Sequence, residues 1–403
     1  MAIFDVLSGS GHPLRSSVDN PESWFTNIFG GTSSSRAGIK ITPDKALNSI
    51  TFFSCVKVIS EDLAKLPLDL FERLEDGSRS KARSHGLFKL LRRKPNPFQT
   101  AFQFKLMMQL HVCMRGNAYA VIQHDNNGNP TALIPQHPDK VTVLKTSEGE
   151  LFYDLGKEKG IAPAENVLHL RGMSYDGIMG VNLVYQIAET LGLDIASTEH
   201  AAAYFGNGAR PGVILEHPKT LSPEAKTEIK KKWDEQYNGA ANTQSVAVLA
   251  EGMKAEVMKL NHVESQFLES RSFTAYQICG ALRVAPHLVG LMEKATFSNI
   301  EHQGQSHAGN CIQPHTVMWA ECLADKLLFE DEKEDFYFEF NFDSLIQTDF
   351  ETRMNGYGKA IDSGIMSPDE VRQKENMNIR PDGRGGEYRL PKNMSLSGDK
   401  NEE

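Results

Sequence analysis

Two long helical patterns on either side of a short loop constrain the fold of this chain most strongly. The first begins at Asn261, which has capping-box spacing with the glutamate three residues later, and it ends at Pro286. The second begins at Ser298, again with a glutamate three residues later, and extends to about Leu328. The sequence therefore predicts two long helices that hold a loop, residues 286–297, at both of its ends.

A further long helix and a small module are predicted before this pair. Asn182 is placed to cap a helix over residues 182–206, which ends at glycine followed by proline. The residues after it predict a strand, a helix that starts at Ser222 and two more strands, which together form a compact β-α-β-β module. The long helices 182–206 and 261–285 would then form a two-helix stalk with this module at its tip.

Residues 42–180 combine helical and strand patterns and predict a mixed α+β domain. One amphipathic helix is predicted between Thr42 and Pro67, and a second between Thr100 and Gly116. Apolar alternation and turn signals predict short strands at 68–73, 118–122, 131–134, 140–144, 151–153 and 167–170.

The two ends of the chain have little periodic pattern. Residues 1–40 are rich in Ser and Gly and predict a mobile arm. After Leu328 the chain is acidic, and it then predicts a strand and two short helices, 346–362 and 368–376. From Pro381 onward it is Gly-rich and polar, which predicts a frayed end.

The composition limits the classes of function. A chain of 403 residues with 40% hydrophobic side chains can bury at least one sizeable core. It contains no apolar run long enough to cross a bilayer, and its five cysteines form no CxxC pair, which favours reduced thiols in a cytoplasmic setting. The formal net charge of -9 argues against a protein that grips duplex DNA, but not against a surface past which DNA slides.

Candidate chemical sites are weak. Seven Lys or Arg residues in 79–94 could form a phosphate-binding patch, but a solvated helix face explains them better. His307, Cys311 and His315 are four residues apart and could present metal ligands on one helix face. Pro314 should kink that helix, however, and small or polar residues at a helix contact explain the same pattern. We therefore do not favour a metal site.

No nucleotide-binding or hydrolase motif supports an enzyme. The chain lacks a P-loop, a dinucleotide fingerprint, HExxH and GxSxG. Asp176 and Glu301 are the acids that would first be considered catalytic. However, Asp176 suits a turn and Glu301 a helix cap.

Several phrases, in this order, resemble one family. They are FFSCVKVISEDLAKLPLDLFER (52–73), RGNAYAVIQHDNNGNPTALIP (115–135), VLHLRGMSYDGIMGVN (167–182), YFGNGARPGVIL (204–215), SQFLESRSF (265–273), VAPHLVG (284–290), ATFSNIEHQ (295–303) and DSGIMSPDEVRQKENM (362–377). The chain resembles the portal proteins of tailed double-stranded DNA bacteriophages, of the siphophage and prophage type, over roughly residues 42–380. The resemblance implies an α+β portal fold with a mixed α/β wing, a two-helix stem, a small β-α-β-β clip and a helical C-terminal crown.

The resemblance also implies a function and partners. The chain would form a closed homo-oligomeric ring, usually of twelve copies, at one vertex of the capsid. Double-stranded DNA would pass through the ring without sequence specificity, driven in by the large terminase subunit and released at ejection. The head-tail adaptor and the major capsid protein would be further partners. The implied location is the virion, and the host cytoplasm during assembly, with no membrane, cofactor or enzymatic activity.

Carried over by position, the resemblance divides the chain into nine segments. They are a flexible arm (1–41), the first part of the wing (42–181), a stem helix (182–208), the clip (209–260), a second stem helix (261–285), the tunnel loop (286–297), a long kinked helix and strand that complete the wing (298–345), the crown (346–380) and a flexible tail (381–403). The tunnel-loop residues expected to line the channel are Met292, Glu293, Lys294, Ala295 and Thr296. The clip residues expected to contact the motor or adaptor, or simply solvent, are Lys226, Lys230, Lys231 and Lys232.

Two other classes of protein remain open on sequence alone. A metal-dependent enzyme acting on nucleic acid would use the basic run 79–94 and the histidine and cysteine residues around Cys311. A capsid-lattice or scaffolding protein would assemble into shells or open sheets instead of closed rings.

Overall fold

The structure is a computed structural model that describes most of the chain. The described residues are 33–146, 148–206, 213–216, 220–237, 254–257, 263–292, 303–342, 345 and 350–388. The chain divides into two compact units, Met1–Phe342 and Asp343–Glu403. Within the described residues, no helix is both long enough and apolar enough to span a membrane.

A short hairpin precedes the first helix. Strand β1 (Ser33–Ser34) pairs with strand β2 (Lys40–Ile41), and Ile41 is buried. The hairpin packs against the helix that begins at Ala188. The predicted mobile arm therefore needs correction for residues 33–41, because this packing buries apolar side chains. Residues 1–32 lie outside the described part.

The helix predicted between Thr42 and Pro67 is in fact two helices. Helix α1 (Pro43–Ala46) is capped by Thr42, and helix α2 (Ile50–Lys65) is capped by Ser49, whose Oγ accepts from the Phe52 N–H. The first helix ends at Ala46, and Ser49, whose backbone is extended, starts the second.

Three antiparallel sheets of three strands each form the α+β part. In the first, β3 (Leu68–Arg73) lies between β4 (Arg79–Lys81) and the late strand Phe336–Phe340. In the second, β5 (Asn117–His124) lies between β6 (Pro130–Gln136) and the strand Val167–Arg171. The third contains β7 (Thr142–Lys145), β8 (Leu151–Asp154) and β9 (Ile161–Pro163). Strand β9 was not predicted, and we number Val167–Arg171 as β10.

The basic run 79–94 is part strand and part helix, so the predicted single helix face is wrong for its first residues. In β4, Arg79 pairs with Glu339, and Lys81 Nζ lies 2.7 Å from Asp69 Oδ2. Helix α3 (Gly86–Arg92) buries Leu87, Leu90 and Leu91, and its Arg92 also pairs with Asp69. Acids of the neighbouring strands thus neutralise part of the run.

Part of the core of the first unit lies where two helices meet. Helix α4 (Ala101–Arg115) lies where it was predicted, begins with a capping box at Thr100 and ends at Gly116, which has a φ of 75°. Trp319, from a later helix, is fully buried against α4. Its Nε1 donates to Gln109 Oε1 at 3.0 Å, and its ring meets that of Phe104 edge-on.

The predicted stalk helices pack against each other. Asn182 caps α5 (Leu183–Gln186) as predicted, but the helix is interrupted at Ile187 before α6 (Ala188–Gly206). Helix α6 packs against the helix Val263–Leu282, where Arg271 Nη2 donates to Thr198 Oγ1 at 3.4 Å.

In its described residues, the small module contains a two-stranded antiparallel sheet and one helix. Strand β11 (Val213–Glu216) pairs with β12 (Lys254–Val257), and α7 (Pro223–Tyr237) lies between them in the chain. The strand predicted at 245–249 lies outside the described residues. We number the helix Val263–Leu282 as α8, the helix Gln313–Leu327 as α9 and the strand Phe336–Phe340 as β13.

The second unit contains α10 (Phe350–Asp362) and α11 (Pro368–Lys374). Ser367 and Glu370 form a capping box at the start of α11. The predicted fraying from Pro381 needs correction as far as residue 388, because the Asp369 N–H donates to Gly385 O at 2.8 Å. Residues 389–403 lie outside the described part.

Candidate functional site

The candidate site is the segment at which α8 gives way to the predicted tunnel loop. We call residues 282–292 and 303–312 the loop base. Helix α8 ends at Leu282, earlier than the predicted end at Pro286. Arg283 adopts a left-handed backbone with a φ of 56°, and the Val284 N–H donates to Cys279 O at 3.0 Å. Such a left-handed residue stops a helix and satisfies its last carbonyls.

The first residues of the predicted loop are structured. Pro286–Val289 form one short 3₁₀ helix, which ends at Gly290 with a φ of 84°. Met292 follows with 61% of its surface exposed. The other predicted channel residues, Glu293, Lys294, Ala295 and Thr296, lie outside the described residues, as does the predicted capping box at Ser298.

A hydrogen bond closes the loop at its base. His287 Nδ1 and Gln303 Oε1 lie 2.7 Å apart, so the imidazole donates to the amide oxygen. This bond joins the first turn of the loop to the first described residue after it. We call it the clasp. The clasp holds together the described residues on either side of the segment 293–302.

The helix after the loop changes its geometry where a proline kink was predicted. Residues 303–306 are helical, His307–Ile312 form a π-helix, and α9 follows with Pro314 in its first turn. Proline lacks an N–H and its ring crowds the carbonyl four residues earlier, so a wider turn directly before it relieves the conflict. The interruption predicted at Pro314 is thus a π-helical segment.

Two of the three residues of the considered metal site, His307 and Cys311, have separate partners. His307 Nε2 lies 2.9 Å from Asp62 Oδ2, and Cys311 Sγ donates to Leu282 O at 3.5 Å. Burial lowers the pKa of His315 to about 4, which favours its neutral form. Among the residues that the structure describes, no three His, Cys, Asp or Glu side chains are grouped so that they could hold a metal ion.

An acid on α2 anchors the loop base. Asp62 accepts from His307 and from Lys65 Nζ, the latter at 2.7 Å. Burial raises the pKa of Asp62, but the hydrogen bonds from His307 and Lys65 outweigh it and leave the pKa below its ordinary value. Asp62 is therefore a carboxylate near neutral pH, and it ties the π-helix to α2.

The predicted clip lysines lie on α7. Lys226, Lys231 and Lys232 are exposed, and Lys232 Nζ lies 2.8 Å from Glu228 Oε1, one turn earlier. The side chain of Lys230 is outside the described part. An exposed pair of this kind contributes little to stability, so the helix can present these charges to a partner.

Asp176, one of the two acids named above as candidate catalytic residues, stabilises a turn. Its Oδ1 accepts from the N–H groups of Ile178 and Met179 and from Ser174 Oγ. The turn brings Gly180 against Gly116, where an added Cβ on Gly180 would lie 1.9 Å from Gly116 O. Asp176 therefore has a structural role, as the sequence predicts.

Sequence reasoning missed the contacts that hold the loop base. Asp62 and His307 are 245 positions apart, and no local pattern links them. His287 and Gln303 both lay within the phrases singled out above, but their pairing depends on how the described ends of the loop meet.

Comparison with known proteins identifies the family. A sequence profile described as phage portal protein matches residues 50–376. The portal protein of Enterobacteria phage HK97 is 27% identical over 349 residues, which cover 85% of this chain and 82% of the relative. A probable portal protein of Streptomyces phage phiC31 is 28% identical over 425 positions, covering 100% of this chain and 91% of the relative.

Solved structures share the fold. A chain of the virion of a native gene transfer agent particle has a TM-score of 0.59 at 19% identity, covering 86% of this chain and 96% of that one. A chain from the neck of the native particle, computed with C12 symmetry, has a TM-score of 0.57 at 20% identity and covers 92% and 97%. An HK97-family portal protein from Corynebacterium diphtheriae has a TM-score of 0.55 at 16% identity and covers 78% and 98%.

The fold is an α+β portal fold, and the chain belongs to the phage portal protein family. The fold class and the family predicted from the sequence are confirmed. The function expected of it, a structural portal at the head-tail connector, is confirmed at the level of the family. The nucleic-acid enzyme and the capsid-lattice protein are not favoured.

Proposed function

We propose that this chain assembles head to tail into a closed ring at one capsid vertex and that double-stranded DNA passes through the ring. Twelve copies are proposed, because a similar chain occurs in a particle neck computed with C12 symmetry. Heterologous contacts between identical chains close into a ring when the rotation between neighbours is right. The ring acts during packaging and again during ejection, in the virion and, before that, in the host cytoplasm.

The observation that carries this proposal is a loop closed at its base by a hydrogen bond and anchored to α2. The clasp between His287 and Gln303 fixes where the loop leaves the fold. The Asp62–His307 contact fixes the helix on its other side. A loop whose two ends are held in this way can be positioned accurately in a channel.

The residues proposed to line the narrowest part of the channel are Met292, Glu293, Lys294, Ala295 and Thr296. The net charge of -9 supports a channel through which DNA passes without being bound tightly. Each phosphate that a protein neutralises strengthens its grip on DNA, and a tight grip would slow movement through the channel.

The remaining segments receive roles from the same proposal. Helices α6 and α8 form the stem, and the module around α7 forms the clip. Lys226, Lys230, Lys231 and Lys232 on the clip contact the large terminase subunit or the head-tail adaptor. Residues 42–181 and 298–345 form the wing, which faces the major capsid protein, and residues 346–380 form the crown. The protein acts as a conduit, without a cofactor and without catalysis.

The test removes the middle of the loop. Deletion of residues 290–296 is expected to leave ring assembly intact and to reduce the amount of DNA packaged or retained. A matched variant replaces the same seven residues with Gly and Ser, which keeps the length and removes the side chains. Loss of rings in both variants would assign the loop to assembly and contradict the proposal.

A further inference from the structure

Two buried cysteines from distant parts of the chain are in contact. Cys55 Sγ on α2 and Cys279 Sγ on α8 lie 3.8 Å apart, across 224 positions of sequence. Their residues are 0% and 1% exposed. Cysteines that are brought together in this way form a dithiol in which oxidation would create a covalent bond between two helices.

The dithiol lies next to the loop base. Cys279 O accepts from the Val284 N–H, so Cys279 belongs to the turn at which α8 ends. A third thiol, Cys311 of the π-helix, donates to Leu282 O in the same turn. The end of α8 is therefore held by sulfur contacts from both α2 and the π-helix.

We propose that Cys55 and Cys279 are a redox modification site, which a small peroxide converts into a disulfide that ties the end of α8 to α2. A disulfide needs a sulfur–sulfur distance of about 2.05 Å, so the two sulfurs must approach by roughly 1.8 Å. Rotation about χ1 and a small shift of the last turn of α8 supply an approach of this size.

The contact also assigns the chemical roles. Either thiol can donate in the contact between Cys55 and Cys279, and this contact lowers the pKa of Cys279 and raises that of Cys55. Cys279 is thus the sulfur that reacts first, because the thiolate is the nucleophile. Burial keeps large oxidants out, so the reaction needs a small one and a local opening of the helix end.

The reaction balances with hydrogen peroxide as the two-electron oxidant. The Cys279 thiolate attacks one peroxide oxygen, the O–O bond breaks, and hydroxide leaves and takes up a proton to become water. The Cys279 sulfenic acid then meets the Cys55 thiol, whose sulfur attacks while its proton and the hydroxyl leave as a second water. Two thiols and one peroxide thus give one disulfide and two waters.

The site fits a change of surroundings. Disulfides persist in oxidising environments and are rare in reducing cytoplasm. A particle that is assembled in a host cell and then released would move from a reducing cytoplasm to an oxidising environment. The functional effect of the disulfide rests on the proposed function, because a covalent bond at this place would stiffen the base of the tunnel loop. The chemistry of the dithiol does not rest on it.

The experiment oxidises the folded full-length chain. The wild type is treated with hydrogen peroxide, blocked with an alkylating agent, digested without reductant and analysed by mass spectrometry. We expect a peptide pair that joins Cys55 to Cys279, formed over minutes to hours. We also expect a Tm higher by roughly 5 °C or more, which dithiothreitol reverses.

Matched variants separate this pair from other oxidation. C55A and C279A should each lose the linked peptides and the Tm rise, while C113A, which removes another buried cysteine, should keep both. C55A retains all 14 methionines, so it reports any Tm change that comes from their oxidation. Linkage only after unfolding, or linkage that is equally strong to Cys113 or Cys311, would overturn the proposal. Absence of rings by microscopy would instead count against the proposed function and leave this result standing.

Discussion

His287 donates a 2.7 Å hydrogen bond to Gln303, sixteen positions later in the chain, and so closes the base of the proposed tunnel loop. His287 lies in a 3₁₀ turn, and Gln303 lies just before the π-helix. Among the described residues, this side-chain pair and the Asp62–His307 contact hold the two ends of the loop.

Removing the clasp should loosen the loop base without unfolding the protein. In H287A the hydrogen bond is lost, and we expect the free energy of unfolding to fall by about 1 kcal/mol. Amide hydrogen exchange in residues 286–292 should become faster, while rings still form. The comparison is H85A, which removes the His85–Glu332 contact in another part of the first unit. Equal exchange in residues 286–292 in both variants would show that the clasp holds nothing.

Stability should fall as the pH drops because of His111. Burial, with the nearby His137 and Arg115 charges, lowers its pKa to about 4, although Asp139 opposes this. Between these two pKa values, His111 binds a proton in the unfolded chain, where a histidine pKa is about 6.5, but remains neutral in the folded chain. We expect His111 to remove up to about 3 kcal/mol between pH 6.5 and 4, since one pKa unit corresponds to about 1.4 kcal/mol.

Urea unfolding at several pH values measures this loss. H111Q should reduce the slope of stability against pH in that window, and H124Q, in the β5–β6 hairpin, should leave it unchanged. An H111Q slope identical to that of the wild type would contradict the assignment.

The close approach of two glycines should tolerate no side chain. In G180A the new methyl would lie 1.9 Å from Gly116 O, and backbone atoms on both sides would have to move. We expect a loss of about 3 kcal/mol or more, or failure to fold. The matched variant is G304A, in the helical residues 303–306, where no described atom lies within 4 Å of the added methyl. That change should be neutral or stabilise by up to about 1 kcal/mol. Thermal unfolding of both variants provides the comparison, and a similar Tm for the two would rule out the clash.

Loss of a buried glutamine that accepts a hydrogen bond should lower the free energy of unfolding more than loss of an exposed glutamine. In Q109A the buried Nε1 of Trp319 loses its acceptor, and an unsatisfied buried donor costs about 1–3 kcal/mol. We expect Q109A to lower the free energy of unfolding by about 1–3 kcal/mol. Gln277 is exposed on α8, so Q277A should change it by less than about 0.5 kcal/mol. If chemical denaturation gives equal values for the two variants, Gln109 does not hold the indole.

Local signals explain most of what the sequence could predict about the fold. The helices that follow Thr100, Asn182 and Ser367 begin where they were predicted, because a cap is defined by residues within one turn of it. The break at Ser49 was missed because the apolar spacing continues through it. The end of α8 at Leu282 was missed because a non-glycine residue, Arg283, adopts the left-handed conformation.

The sequence predicts a position for the site but not the contacts at its base. The loop is predicted from Pro286 and from the helical patterns on each side, and Met292, its seventh residue, is exposed. The clasp, the Asp62–His307 contact and the Cys55–Cys279 pair all join elements that only the tertiary fold brings together. The π-helix likewise follows from the conflict between Pro314 and a helix that packing otherwise favours.

Electron cryomicroscopy of the purified full-length chain tests the central claim most directly. The account predicts closed rings with a central channel, with residues 286–297 of every copy facing that channel and α6 and α8 alongside it. Shells, open sheets or single chains, or rings in which residues 286–297 are walled off from the channel, would contradict it.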